Sequence, residues 1–343
     1  MTSNTALSER PKVSSKIIKD NILIIILLVE IIMGTVLSPV FLGKTNIYNI
    51  LINVTIFGLL AIGQSLVMLA KEIDLSIGAL MAFGPIAAIA LTKKILVVSG
   101  TEIIIGSNYV VDGLAFIVVL VLVISTLIGV LNGFIRVKAQ VPSLIVTLGM
   151  MYILGGMSYI LSGGYSLYLT NLEGAQWLGN SRLFNIPVNF LLFLSVGVLV
   201  ILALKYTKVG HRIYSTGGNE KAAIYSGINT NFWKVVAFGL SGLCAGFSAL
   251  VYSSRLQSVE TIQGSGYELI AIAIAVIGGI TLEGGRGKIF GTIIAAVILV
   301  VMLNILSLLG LVSWYKNIII GAIIVGAASQ HAFSRRKGLH SKV

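Results

Sequence analysis

Apolar runs of about twenty residues, the length an α-helix needs to cross a bilayer, recur from one end of this chain to the other. That pattern leaves no room for a soluble domain beyond tails and loops. The chain is 57% hydrophobic and 10% charged over 343 residues, with a mean hydropathy of +1.00. A soluble domain carries about 25% charged residues. The expectation is an all-α polytopic membrane protein.

The runs place helices at 21–42, 47–70, 74–92, 113–135, 142–162, 190–206, 233–253, 267–282, 288–310 and 312–329, ten in all. Polar residues at the starts of the third and eighth (IDLS at 73–76, YEL at 267–269) predict short or partly broken helices. The segment 94–106 is apolar but too short to span, and reads as a re-entrant or interfacial piece. Residues 21–329 form one transmembrane domain between tails at 1–20 and 330–343. The first run is full-length with no small-residue cleavage site after it, so it reads as a first helix rather than a signal peptide.

Basic residues set the orientation. With the N-terminus in the cytoplasm, 18 of the Lys and Arg residues fall inside and 6 outside, the latter being Lys44, Lys93, Lys94, Arg182, Arg255 and Lys316. Both termini are then cytoplasmic. The net charge of +12 reflects this asymmetry and attraction to anionic membrane lipid. No basic soluble face exists for nucleic acid. The single cysteine, Cys244, lies in an apolar helix, and three scattered histidines assemble no metal site.

Catalytic motifs are missing. GGRGKIFG at 284–291 imitates a phosphate loop, but Ile289 stands where Ser or Thr must hold magnesium, and Leu282 replaces the leading glycine. It reads as a tight turn between membrane helices. The chain is therefore expected not to be an enzyme and to hold no cofactor of its own. The pairs Gly129/Gly133, Gly242/Gly246 and Gly287/Gly291 are small-xxx-small spacings that let helices approach closely.

Intramembrane polar residues are functional candidates by default. Glu30, Gln64, Asp74, Ser76, Asn132, Tyr267, Glu268 and Asn304 qualify. Glu30, alone among aliphatics, pairs across a helix or lies near an interface. Asp74 and Glu268 sit at helix entrances and either cap free amides or belong to a translocation route. IDLSIGALMA and YELIAIAIAV share a pattern, and the topology puts one entrance inside and the other outside, as an inverted repeat of helices 2–5 and 7–10 would.

Residues 210–229, GHRIYSTGGNEKAAIYSGIN, form a polar, glycine-punctuated stretch between two apolar runs. Asn219 is a good N-cap, Glu220 suits a first turn, and Gly227 can take the left-handed C-terminal position. This predicts a short capped helix over 219–227 at the cytoplasmic surface, a handle for a partner. Ala223 and Ser226, three apart, share one close-packed face.

Four segments carry a resemblance: EIDLSIGALMAF (72–83), VPSLIVTLGMMYILGGMSYILSGG (141–164), the 210–229 stretch, and GSGYELIAIAIAVIGGITLEGGRGKIFGT (264–292). In this order they resemble the permease subunits of ABC importers for ribose, galactose, xylose and related monosaccharides, over most of residues 45–330. Lys71-Glu72 depart from the family's paired glycines, Ile270 from its aspartate, and Gly155-Gly156 from its arginine-glycine. Permeases for autoinducer-2 and for nucleosides share much of the pattern.

The resemblance implies a fold like the type II importers in a bacterial cytoplasmic membrane. It implies a second permease copy or paralogue, and a cytoplasmic ABC ATPase that holds the ATP and magnesium. It also implies a periplasmic or lipid-anchored sugar-binding protein. It assigns ATPase coupling to Gly217, Gly218, Asn219, Glu220, Ala222, Ala223, Ser226 and Gly227. On the outer face, Arg182, Arg255 and Glu260 are candidates for docking the binding protein. The competing classes are an ion-coupled secondary transporter, which would need intramembrane coupling sites, and a membrane enzyme, which would need a nucleophile or metal.

Overall fold

The computed structural model describes residues 21–98, 111–169, 174–312, 314–315, 317–323 and 325–326. Its helices are α1 (Ile22–Leu37), α2 (Lys44–Leu69), α3 (Ile77–Val98), α4 (Val111–Ala139), α5 (Ser143–Ser162), α6 (Trp177–Asn180) and α7 (Val188–Tyr206). They continue with α8 (Lys208–Gly218), α9 (Glu220–Tyr225), α10 (Thr230–Leu256), α11 (Tyr267–Ile277) and α12 (Ile289–Leu308). Residues 317–323 are also helical. Two antiparallel pairs of two-residue strands join the loops: β1 (Leu167–Tyr168) with β4 (Ser258–Val259), and β2 (Arg182–Leu183) with β3 (Ile186–Pro187).

Among the described residues, six helices are long and apolar enough to cross a membrane: α2, residues 114–139 of α4, α5, α7, α10 and α12. Shorter apolar helices are α1, residues 77–92 of α3, and α11. Helices suit a bilayer because each satisfies its own backbone. The protein is an all-α polytopic membrane protein.

Helices α2 and α10 form the centre. Every residue of α2 from Gly58 to Leu69 is buried, the mark of a helix apolar all round. Around them, α1, α4, α5 and α7 keep large side chains such as Val36, Leu127, Ile160 and Leu199 exposed, as lipid-facing helices do. The most extensive packing is α10 on α4. A Cβ on Gly133 would lie 2.7 Å from the Val235 Cα, and Gly246 stands against Ser125. Gly129 and Gly242 leave no room for a side chain against the carbonyls of Phe238 and Ser125. Two of the three glycine pairs are thus helix–helix contacts within one chain. The third is not: Gly287 lies ahead of α12 at φ +129°, packed on Ile280, and only Gly291 is helical, against Gly278.

Three sequence expectations shift. Helix α3 runs on through Val98, so 94–98 continues that helix instead of forming a separate piece; residues 99–106 lie outside the described residues. The eighth run ends at Ile277, because Gly278 and Gly279 turn the chain before the hydropathy falls. The first ends at Leu37, ahead of the turn at 38–43. The tails and Lys316 lie outside the described residues.

At one end of the bundle the Leu69 carbonyl accepts from Gly285 N–H (2.9 Å), and Tyr214 Oη donates to the Gly287 carbonyl (2.8 Å). At the other, Gly179 N–H donates to Ser254 Oγ (2.7 Å). The chain enters α3 from the first end and α11 from the second. The two helix starts meet inside: Gly78, in the first turn of α3, abuts Glu268 and the Gly264 carbonyl.

Candidate functional site

Two polar regions and one exposed helix stand out. The helix is α9. Three caps divide this stretch: Thr207 Oγ1 accepts from Val209 N–H, Asn219 Oδ1 from Ala222 N–H, and Asn229 Oδ1 from Phe232 N–H, each at 3.1 Å. Each satisfies an amide that the helix itself leaves free. Gly227 closes α9 at φ +77°, a conformation that favours glycine. The capped helix read from the sequence is present over Glu220–Tyr225. Its neighbour α8 is a second helix outside the predicted 219–227, with Gly217 pressed against the Leu69 carbonyl and Gly218 beside Gly285.

The expected close-packed pair divides. Ala223 is buried in the chain's own interior, whereas Ala222, Ser226 and Gly227 are exposed. In a six-residue helix packed on α10, three positions are enough to turn a side chain from outside to inside. The face left free carries Ile224 at 54% exposure and Tyr225 at 90%. Neither was singled out by sequence, because apolar residues in an apolar chain raise no signal.

Beneath α9 runs a chain of charges. Glu220 Oε1 accepts from Lys234 Nζ (2.7 Å) and Thr230 Oγ1 (3.3 Å). Lys234 Nζ also lies 3.2 Å from Glu72 Oε1. Arg136 also grips Glu72, with Nε 2.9 and 3.0 Å from the two carboxylate oxygens and Nη2 2.9 Å from the same Oε1. Lys234 and Glu72 are both buried. Burial works to raise the Glu220 carboxyl, but the bond and charge of Lys234, with Thr230 and Arg136, outweigh it and hold the group below the usual carboxylate range. Sequence reasoning saw Arg136 and Lys234 only as inside charges and Glu72 only as a departure. The available signal was that an apolar chain with 12 acidic residues rarely places one beside a helix entrance without a partner.

Above this chain lies the first polar region. Asp74 Oδ1 accepts from Ser76 N–H (2.9 Å) and Oγ (2.7 Å), and its Oδ2 accepts from Ser241 Oγ (3.2 Å). Asn132 Nδ2 donates to Ser76 Oγ (2.8 Å). Three predicted residues, Asp74, Ser76 and Asn132, therefore meet, and Asp74 bonds a free amide at the start of α3. Gln64 is fully buried with neither side-chain polar atom bonded, and Asn132 Oδ1 is likewise unpaired. Glu268 is buried against Gly78, while the Tyr267 ring packs between Phe57 and Tyr252. Asn304 pairs reciprocally with Asn46 (2.9 and 2.7 Å). Glu30 Oε2 is enclosed without a hydrogen-bond partner.

The second polar region is a shallow pocket at the opposite end, lined by Tyr48, Asn49, Asn180, Arg182 and Arg255. The Arg182 guanidinium lies 3.9 Å from the Tyr48 ring centre. Arg255 donates to Asn180 Oδ1 and Asn49 Oδ1, both at 2.9 Å. Glu260 is exposed but stands outside the pocket lining. Among the described residues no group of three or more His, Cys, Asp and Glu side chains is placed to hold a metal ion.

Comparison with known proteins fits this layout. The family model described as branched-chain amino acid transport system / permease component matches residues 46–328. The ribose import permease RbsC of Escherichia coli K12 is 34% identical over 331 residues, covering 95% of this chain and 97% of that protein. The ribose import permease RbsC of Bacillus subtilis is 34% identical over 300 residues (87% and 88%). The D-allose transport system permease AlsC of Escherichia coli K12 is 29% identical over 305 residues (89% of each). No solved structure matches at a significant level. A family model that spans all but the chain's ends, and relatives matched almost end to end, place this protein in the family of ABC-importer permease components that includes the ribose import permeases.

Proposed function

We propose that this chain is the membrane-spanning subunit of an ATP-driven importer for a monosaccharide, ribose or a close relative. The observation that carries this is the near end-to-end likeness to ribose import permeases. The ATP and magnesium belong to a separate cytoplasmic ABC ATPase. A periplasmic or lipid-anchored binding protein delivers the sugar, and a second permease copy or paralogue completes the pathway. The protein sits in a bacterial cytoplasmic membrane with ten spans and both termini inside.

The α8–α9 end faces the ATPase. Support comes from the caps that fix α9, from exposed Ile224 and Tyr225, and from Gly217 and Gly218, which seat α8 on the α11–α12 turn. Ala223 belongs to the seat of α9 and not to its partner face. The Arg182 and Arg255 pocket faces the binding protein. Helices 2–5 and 7–10 form an inverted repeat like that of type II importers, which accords with α3 and α11 starting from opposite ends and meeting at Gly78 and Glu268. Asp74, Ser76, Asn132, Gln64, Tyr267 and Glu268 form the polar interior around that meeting point, held ready for a pathway that opens between two copies.

Proteoliposomes test the reading. With the ATPase present and binding protein outside, labelled ribose should accumulate only when ATP and magnesium are inside. Uptake driven by an ion gradient without the ATPase would overturn it in favour of a secondary transporter.

A further inference from the structure

Four charges of alternating sign, Glu220, Lys234, Glu72 and Arg136, run from the exposed helix α9 into the bundle. Their formal charges cancel. The two central members are each 4% exposed at the side chain. A buried ion left without its partner is strongly unfavourable. Lys234 is shared: one ammonium serves Glu220 on α9 and Glu72 ahead of α3.

The segment 72–76 is held along its length by the same two helices. Helix α4 grips it with Arg136 at Glu72 and, one turn away, with Asn132 at Ser76. Helix α10 grips it with Lys234 at Glu72 and, two turns away, with Ser241 at Asp74. Its backbone is pinned as well, since Ile73 N–H donates to Ser143 Oγ (3.1 Å). The segment is not helical: its Glu72 N–H donates to the Val67 carbonyl, and its Ile73 and Ser76 N–H groups donate to side-chain oxygens. It leads directly to Gly78, where α3 meets Glu268 of α11.

We propose that Glu72 and Lys234 are positioning residues that make α9 and the 72–76 segment shift as one body. A displacement of α9 carries Glu220, Lys234 follows its closer carboxylate, and Glu72 is drawn along or left with Arg136 alone. The start of α3 then moves against α11. The purpose of this linkage rests on the reading of α9 as the ATPase-facing element; the linkage itself does not.

Hydrogen exchange on the full-length chain in lipid nanodiscs tests it without any ATPase. Glu220→Gln should speed amide exchange in the 72–76 peptide roughly fivefold or more, although Glu220 touches none of those residues. Exchange in α12 should stay at wild-type values. Glu72→Gln should speed exchange in the same peptide, and the double variant should add nothing further, because a linkage is broken only once. Ser226→Ala, on the same stretch but outside the charge chain, should leave 72–76 unchanged. If Glu220→Gln alters only its own neighbourhood, or if the two single effects add in the double variant, the linkage is overturned. Should Glu72→Gln not fold, the contrast between Glu220→Gln and Ser226→Ala decides alone. A chain that shows the linkage yet never binds an ATPase would instead sink the proposed function.

Discussion

The backbone of Gly129 lies directly against the carbonyl oxygen of Phe238, with no space for a side chain between them. The contact sets the distance between α4 and α10, and so the distance between the Arg136 and Lys234 that hold Glu72. Gly149 on α5 has nothing within 4 Å of where its Cβ would be. The same substitution should therefore act in opposite senses. Gly129→Ala overpacks a tight crossing and should cost about 1–3 kcal/mol or more. Gly149→Ala should be neutral or stabilising by up to about 1 kcal/mol, because alanine restricts the unfolded chain. Thermal melting of the isolated chain in one detergent compares them, and equal shifts would mean that the crossing is not set by this contact.

The exposed face of α9 gives a second prediction. Ile224→Glu and Tyr225→Ala change side chains that touch solvent, and should leave melting unchanged. Each should lower ATPase association, and with it substrate-stimulated hydrolysis, by tenfold or more if the pair anchors the interface, since a truncated anchor costs about 2 kcal/mol or more. Ala223→Arg should behave differently. Ala223 is 4% exposed, so the arginine displaces α9 from α10 and the chain itself loses stability. Wild-type stimulation in Tyr225→Ala would remove this face from the interface.

Much of this layout was readable from residue order. The length of apolar runs marks helices well, and the starts of α2, α5, α11 and α12 fall within a few residues of their expected places. The caps of α9 were readable because capping is local: Asn219 and Gly227 act within one or two turns. Helix α8 was not, since its paired glycines resemble a loop and what keeps them helical is the distant Leu69 and Gly285 backbone. The run of α3 past Lys93-Lys94 was hidden because two lysines look like a helix end. The charge chain was the least readable. Its members come from four separate segments, and no local pattern says which buried carboxylate will find which cation. Asp74 was picked out as a polar residue at a helix entrance, and Ser76 and Asn132 for their polarity; only the fold shows that they touch.

The pairing of Glu220 with Lys234 carries a pH signature. The folded-state carboxyl titrates below its ordinary value, so the unfolded chain binds the proton more readily. The stabilisation is therefore complete above the ordinary glutamate pKa of about 4.3 and is lost as pH falls through the lowered folded value. Wild type should melt above Glu220→Gln at pH 7. The gap should hold to about pH 5, narrow below that, and close in stronger acid. A gap that widens on acidification would contradict the pairing.

Orientation can be read by labelling. Phe184 is 89% exposed beside Arg182, and Ser226 is exposed after α9. In a Cys244→Ala background, Phe184→Cys should react with an impermeant thiol reagent from outside intact cells. Ser226→Cys should react only after permeabilisation. The reverse pattern would invert the topology drawn from the basic residues.

The outer pocket makes the last prediction, and its two arginines should not behave alike. Arg255 is bound to Asn180 and Asn49, so Arg255→Glu removes two hydrogen bonds as well as a charge and should lower melting as well as docking. Arg182 stacks on Tyr48, a contact worth about 0.5–1 kcal/mol at an exposed site, so Arg182→Glu is the cleaner probe. If acidic residues of the binding protein meet this rim, Arg182→Glu should raise the binding-protein concentration for half-maximal ATPase stimulation about tenfold at low salt. The effect should shrink toward physiological ionic strength, where the Debye length falls to about 8 Å. Basal ATPase activity should not change, because Arg182 and α9 lie at opposite ends of the bundle. A matching charge reversal on the binding protein should recover part of the loss. If Arg182→Glu leaves the concentration dependence untouched at low salt, this pocket is not where the binding protein docks.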